Sequence, residues 1–234
     1  MRSTDSRYRK VSVLIPTRGR VGRLRTLLDS YGETVRSATV QRDQSELVFR
    51  VDDDDRETLE FLSDKGHTVT SGPRMRGYAS LPAFFNQMAR SSTGDVLMLG
   101  NDDMVFRTRQ WPTHVLEVAN RFPDGLFAFG FRTHNAENYP FVTVSCKAVD
   151  ALGFIWDQRV FWGDIFWRDV MQAFGRTVML DYVEIEHDWA GNCPDAVFLE
   201  GNGLRFLPRG ADYWEGVHLT AVSEAVGKLR RLLS

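Results

Sequence analysis

The stretch Asp95-Val96-Leu97-Met98-Leu99-Gly100-Asn101-Asp102-Asp103-Met104 decides how the chain folds. Val96 to Leu99 is a continuous apolar run between Gly94 and Gly100. Runs without polar alternation belong to strands buried on both faces, as in the middle of a parallel sheet. Ligands of open α/β sheets sit at the carboxyl ends of the strands, where Asp102 and Asp103 fall. Two adjacent carboxylates repel unless protons or a cation separate them. The pair is therefore a divalent-metal element or a solvated acidic turn, and this stretch alone leaves both open.

Working outward, the N-terminal side repeats the pattern. Val11-Ser12-Val13-Leu14-Ile15 reads as a first strand stopped by Pro16, followed by the turn Thr17-Arg18-Gly19-Arg20. Val21, Leu24, Leu27 and Leu28 then recur at helical spacing, completing a strand–loop–helix unit. An arginine at that strand end suits a phosphate or a stacked base, or is simply a solvated loop side chain. Glu46 to Val51 is a second strand running into Asp52-Asp53-Asp54-Asp55. Asp54 or Asp55 can cap the helix that starts near Arg56, which leaves Asp52 and Asp53 at the strand end. His67 to Thr70 is a short third strand. The loop Ser71 to Tyr78 carries Arg74 and Arg76, and Leu81, Phe84, Phe85 and Met88 form the apolar stripe of the next helix. Strands alternating with helices predict a parallel sheet with right-handed crossovers.

Beyond Asp103 the rhythm changes. The spacing predicts a helix over Trp111–Arg121, strands over Gly125–Phe131 and Phe141–Val144, and a helix over Asp164–Phe174. A strand over Arg176–Ile185 delivers Glu186-His187-Asp188. From Asp212 to Leu233, the residues Leu219, Val222, Val226, Leu229 and Leu233 predict a C-terminal helix that packs on the domain or on a second copy. The division expected is a polar tail over 1–10, a main domain over 11–208 and a helical extension over 209–234.

At 234 residues, 43% hydrophobic and 26% charged, the chain has an ordinary globular composition. A net charge of −2 gives no bulk attraction to nucleic acid or anionic membrane. Cys146 and Cys193 stand far apart without a CxxC partner. They read as free thiols of a reducing, cytoplasmic compartment, with no structural zinc. No apolar run approaches the ~18 residues of a membrane span, and the polar, basic N-terminus argues against an ordinary signal peptide.

Four elements taken in order carry a resemblance. Val13-Leu14-Ile15-Pro16-Thr17-Arg18 resembles the opening strand of glycosyltransferases with the GT-A fold, in particular those of family 2. Val51-Asp52-Asp53 resembles the second-strand acid that contacts the nucleotide, and Leu99-Gly100-Asn101-Asp102-Asp103 resembles the metal-binding Asp-x-Asp element. Trp162-Gly163-Asp164 is similar to the acidic base opening a helix, and His187 to the histidine that completes the metal site. Asn101 departs from the pattern by replacing the first acid.

The resemblance implies a mainly parallel α/β sheet flanked by helices. It also implies a nucleotide-sugar donor, a UDP-sugar first, and a divalent metal held by Asp103 and His187. Mixed carboxylate and imidazole ligands suit Mn²⁺ better than Mg²⁺. Donor contacts fall to Thr17, Arg18, Asp52, Asp53, Arg74, Arg76 and Asp102, and the catalytic base of an inverting transfer to Asp164. Phe161, Trp162, Phe166 and Trp167 beside Asp164 are either a sugar platform or core. The acceptor can be a glycan, a protein, a small molecule or modified DNA, and a homodimer through the C-terminal helix is a further expectation. The rivals are a nucleotidyltransferase, whose glycine-rich lysine loop Pro16-Thr17-Arg18-Gly19-Arg20 does not supply, and a non-catalytic nucleotide- or glycan-binding module.

Overall fold

The computed structural model describes residues 8–35, 44–75, 77–133, 139–187 and 212–234. Its strands are β1 (Val11–Thr17), β2 (Ser45–Asp52), β3 (Thr68–Gly72), β4 (Val96–Leu99), β5 (Met104–Phe106), β6 (Ala128–Arg132), β7 (Thr143–Ser145) and β8 (Thr177–His187). They form one sheet in the order β3-β2-β1-β4-β7-β6-β8-β5. β1 to β4 are mutually parallel, and β6 runs parallel to β8, whereas β7 and β5 pair antiparallel with their neighbours. The helices are α1 (Val21–Val35), α2 (Arg56–Ser63), α3 (Leu81–Ser91), α4 (Trp111–Ala119), α5 (Cys146–Leu152), α6 (Gly163–Gln172) and α7 (Leu219–Arg230).

The apolar runs fill both faces of the sheet. Val13 and Ile15 enter one core with Leu24, Leu27, Phe49 and Trp111, while Leu14 enters the other with Val48, Phe85, Leu97 and Leu99. Successive strand residues point to opposite faces, so a strand covered on both sides must be apolar throughout.

Pro16 does not stop β1, contrary to the sequence expectation. Leu14 O accepts from Gly100 N (2.8 Å) on the β4 side, and β4 ends at Leu99, which pairs with Leu14. The N–H missing at Pro16 would face that same side, where no strand remains, while Thr17 still pairs with Val51 of β2. Gly100 is needed at this junction. A Cβ there would meet Val13 Cγ1 at 2.8 Å, Met104 Sδ at 2.9 Å and Leu14 O at 3.1 Å.

The second half departs further from expectation. β5, three residues long, had no counterpart in the sequence pattern, and neither did α5. β6 starts at Ala128 rather than Gly125, because Gly125 takes a positive φ of 76° in the preceding turn. α6 ends at Gln172, before Phe174.

At the C-terminus a π-helical turn over Asp212–His218 precedes α7. Ala221, Val222, Ala225, Val226 and Leu229 bury themselves against the second core. Leu219 and Leu233, expected in that stripe, are exposed, and the alanines take their place. Among the described residues, no helix is long and apolar enough to cross a membrane.

Candidate functional site

The carboxyl ends of the parallel strands bring most of the singled-out residues to one edge. Thr17 ends β1, Asp52 ends β2, Asp102 and Asp103 form the turn between β4 and β5, and His187 ends β8. The antiparallel pairing of Met104 with His187 sets the imidazole beside Asp103. β5 is therefore what joins two acids and a histidine more than 80 positions apart in the chain.

Asp102 is buried, and both its oxygens are engaged. Thr17 Oγ1 donates to Oδ2 (2.9 Å) and Arg20 Nη1 to Oδ1 (2.9 Å). Burial pushes its pKa up, against the Arg20 charge and with the help of the Asp103 charge. Asp103 is 9% exposed. Arg23 Nη1 donates to its Oδ2 at 3.3 Å. Its Oδ1 is buried without a hydrogen-bond partner, although His187 Nε2 lies 3.1 Å away. The His187 ring is set edge-on against Phe141, with centroids 5.4 Å apart.

A second group surrounds Asp52. Arg18 Nη1 reaches Asp52 Oδ2 (3.1 Å) and also pairs with Asp54. Arg50, 3% exposed, is bound to Asp52 Oδ1 (3.3 Å), Gln87 Oε1 (2.9 Å) and Pro73 O (3.0 Å), and stacks on Phe84. Burial raises the Asp52 pKa, and Arg50 and Arg18 hold it back. Arg74 approaches Asp54 at 4.0 Å. Asp53 is exposed, its backbone N–H bonded to Gly72 O (2.9 Å). Asp55 caps α2, accepting from Thr58 N (3.3 Å), and also binds Gly19 N (2.7 Å). The four successive acids thus separate into distinct tasks. Arg76, like Cys193 and Asp188, lies outside the described residues.

Asp164 stands in the first turn of α6 and makes no hydrogen bond or ion pair with either group. Its Oδ1 accepts from Ile165 N at 2.9 Å. Burial pushes its pKa up to about 6, and only partly is this offset by backbone N–H groups and the Arg168 charge. It is not the helix cap: that position is Trp162. Phe166 and Trp167 are fully buried and belong to the core. Phe161 and Trp162 are half-buried instead, and Trp162 stacks on Trp214 of the π-helical turn (5.2 Å, 3° between planes).

Two arginines escaped the sequence reading. Arg23 lies in the helical stretch after β1 and Arg50 inside the apolar run of β2, and neither was singled out as a site residue. Arg20 just precedes α1 and Arg23 lies in its first turn, and the two reach the adjacent acids Asp102 and Asp103.

A mannosyltransferase from Pyrobaculum calidifontis, solved with GDP-Man and Mn²⁺, superposes with a TM-score of 0.60 at 14% identity, over 99% of this chain and 76% of that one. TarS of S. aureus gives 0.57 at 11% identity, over 95% and 80%. TarS in complex with UDP-GlcNAc gives 0.53 at 12%, over 74% and 56%. The chain has the GT-A glycosyltransferase fold. No family model and no curated protein matches the sequence. The GT-A architecture is therefore carried here by pattern and topology, with very little residue identity.

Among the described residues, no three His, Cys, Asp or Glu side chains form a group that would hold a metal. Asp103 and His187 are nevertheless a chemically sound pair of ligands. A buried carboxylate oxygen without a partner, beside an imidazole nitrogen, suits a divalent cation that takes its other ligands from elsewhere. Ions of this type are commonly bound through one or two side chains plus substrate phosphates.

Proposed function

We propose that the protein transfers a sugar from a nucleotide-diphosphate donor, a UDP-sugar first, to an acceptor hydroxyl with inversion. The transfer depends on a divalent metal, Mn²⁺ in preference to Mg²⁺. The observation that carries this reading is the buried Asp103 Oδ1, which makes no hydrogen bond and lies 3.1 Å from His187 Nε2 at the carboxyl edge of a GT-A sheet. Solved neighbours of this fold hold GDP-Man with Mn²⁺ or UDP-GlcNAc.

On this reading Asp103 and His187 would hold the cation, and its Lewis acidity would supply charge neutralisation for the departing diphosphate. Asp52, fixed by Arg50, accepts from the nucleobase or ribose, with the exposed Asp53 beside it. Arg18, Arg74 and Arg76 steady the phosphates through charge-assisted bonds. Asp102, anchored by Thr17 and Arg20, uses its remaining lone pairs for donor hydroxyls. Asp164 takes the proton from the acceptor hydroxyl at its carboxylate. A base with a pKa near 6 is ionised at neutral pH and more basic than a solvated aspartate.

The test is a panel of UDP- and GDP-sugars incubated with the protein and Mn²⁺, with release of the nucleoside diphosphate as readout. Hydrolysis of at least one donor, abolished by EDTA, is expected. Nucleotide binding without turnover of any donor would assign a binding module instead, and absence of both would remove the reading altogether.

A further inference from the structure

The charges around Asp103 balance before any ligand arrives. Asp102 and Asp103 face Arg20 and Arg23, at 2.9 and 3.3 Å. With His187 neutral, as a metal ligand must be, two carboxylates and two guanidiniums sum to zero in a place where both acids are under a tenth exposed. A divalent cation alone would raise that sum to +2, and the diphosphate of a nucleotide sugar alone would lower it to −2. Uncompensated charge is costly in a largely desolvated site. Together, cation and diphosphate restore neutrality.

The two arginines are not equivalent. Arg20 holds an acid whose second oxygen is tied to Thr17. Arg23 makes the longer contact and has the more exposed side chain, 24% against 17%. It also pairs with the acid whose other oxygen makes no hydrogen bond. Arg23 is thus the pair member that an entering cation confronts, since both bind the same carboxylate.

We infer that Arg23 is a resident counter-cation at Asp103 that makes metal binding conditional on the donor's diphosphate. The inference rests on the proposed reading of Asp103 and His187 as metal ligands. Without nucleotide, the guanidinium neutralises Asp103 and repels a second cation. With nucleotide, the diphosphate oxygens accept from the guanidinium and the carboxylate turns to the metal. The metal therefore arrives with the donor and leaves with the nucleoside diphosphate.

The experiment is a titration of Mn²⁺ into the full chain, following free Mn²⁺ by electron paramagnetic resonance, with and without UDP or GDP. The wild type is expected to bind Mn²⁺ about tenfold or more tightly with nucleotide present. Arg23→Gln should tighten Mn²⁺ binding without nucleotide by about fivefold or more and shrink the nucleotide effect, while Arg23→Lys keeps the wild-type pattern. Arg23→Ala should match the glutamine variant and replaces it if that variant fails to fold by circular dichroism. If both neutral variants leave nucleotide-free Mn²⁺ affinity unchanged or weaker while the wild type shows the enhancement, Arg23 has no such role and the site reading survives. If the wild type binds no Mn²⁺ with either nucleotide, the site reading fails, and this inference with it.

Discussion

Asp103→Asn is expected to lower Mn²⁺-supported transfer by about 100-fold or more, with the fold intact. The amide keeps the shape of the carboxylate but loses its charge, and with it the attraction for a cation. It also frees Arg23 from its only acidic partner at that position among the described residues. The loss should appear mainly as a raised Mn²⁺ requirement, with a residual rate approached at high metal concentration. His187→Gln should fall in the same direction by a smaller factor, because a neutral ligand is exchanged for a neutral one. Steady-state rates over a Mn²⁺ series check both. Wild-type turnover in Asp103→Asn at low Mn²⁺ would place the cation elsewhere.

Asp164→Asn is expected to show opposite signs in activity and stability. Transfer should drop by about 10²- to 10⁴-fold, the range for removing a general base, while nucleotide binding stays near wild type because Asp164 makes no hydrogen bond or ion pair with either strand-end group. In the wild type the rate should rise with pH through about 6, as Asp164 loses its proton, and level off above. The folded carboxyl has its pKa raised above the unfolded value, so the native state holds the proton more tightly. Stability contributed by this group is full below about pH 4 and is lost as pH rises through about 6. At pH 7 the ionised carboxylate therefore costs stability, on the order of 3 kcal/mol. Asparagine removes that cost and still accepts from Ile165 N, so the variant should unfold at higher urea than the wild type at pH 7 and at a similar concentration near pH 4. A less stable variant with full activity would make Asp164 an ordinary helix-start residue.

How much of this was legible in the sequence follows from the range of the interactions involved. The parallel half could be read because β1, β2 and β4 are buried on both faces, which forces continuous apolar runs with acids after them. Asp52, Asp102 and Asp103 were visible for the same reason. Pro16 misled because its missing N–H matters only if a neighbouring strand is still there to need it, and the end of β4 cannot be seen from β1. Three residues, Met104 to Phe106, are too few to show a period, yet their pairing with β8 brings His187 beside Asp103. Arg23 and Arg50 went unread because an ion pair between residues 80 positions apart leaves no local trace, and because buried arginines become intelligible only once their partners are located. The aromatics beside Asp164 divided by burial, with Phe166 and Trp167 in the core and Trp162 at the surface stack with Trp214.

The roles proposed for Asp103, His187 and Arg23 depend on one ion being shared between the protein and the departing diphosphate. Pulsed electron paramagnetic resonance of the Mn²⁺ complex with UDP measures that sharing directly. The spectrum should show coupling of the same Mn²⁺ to an imidazole nitrogen and to phosphorus, with the nitrogen coupling lost in His187→Gln and the phosphorus coupling retained. A Mn²⁺–UDP complex whose spectrum is identical in the wild type and His187→Gln would contradict the account.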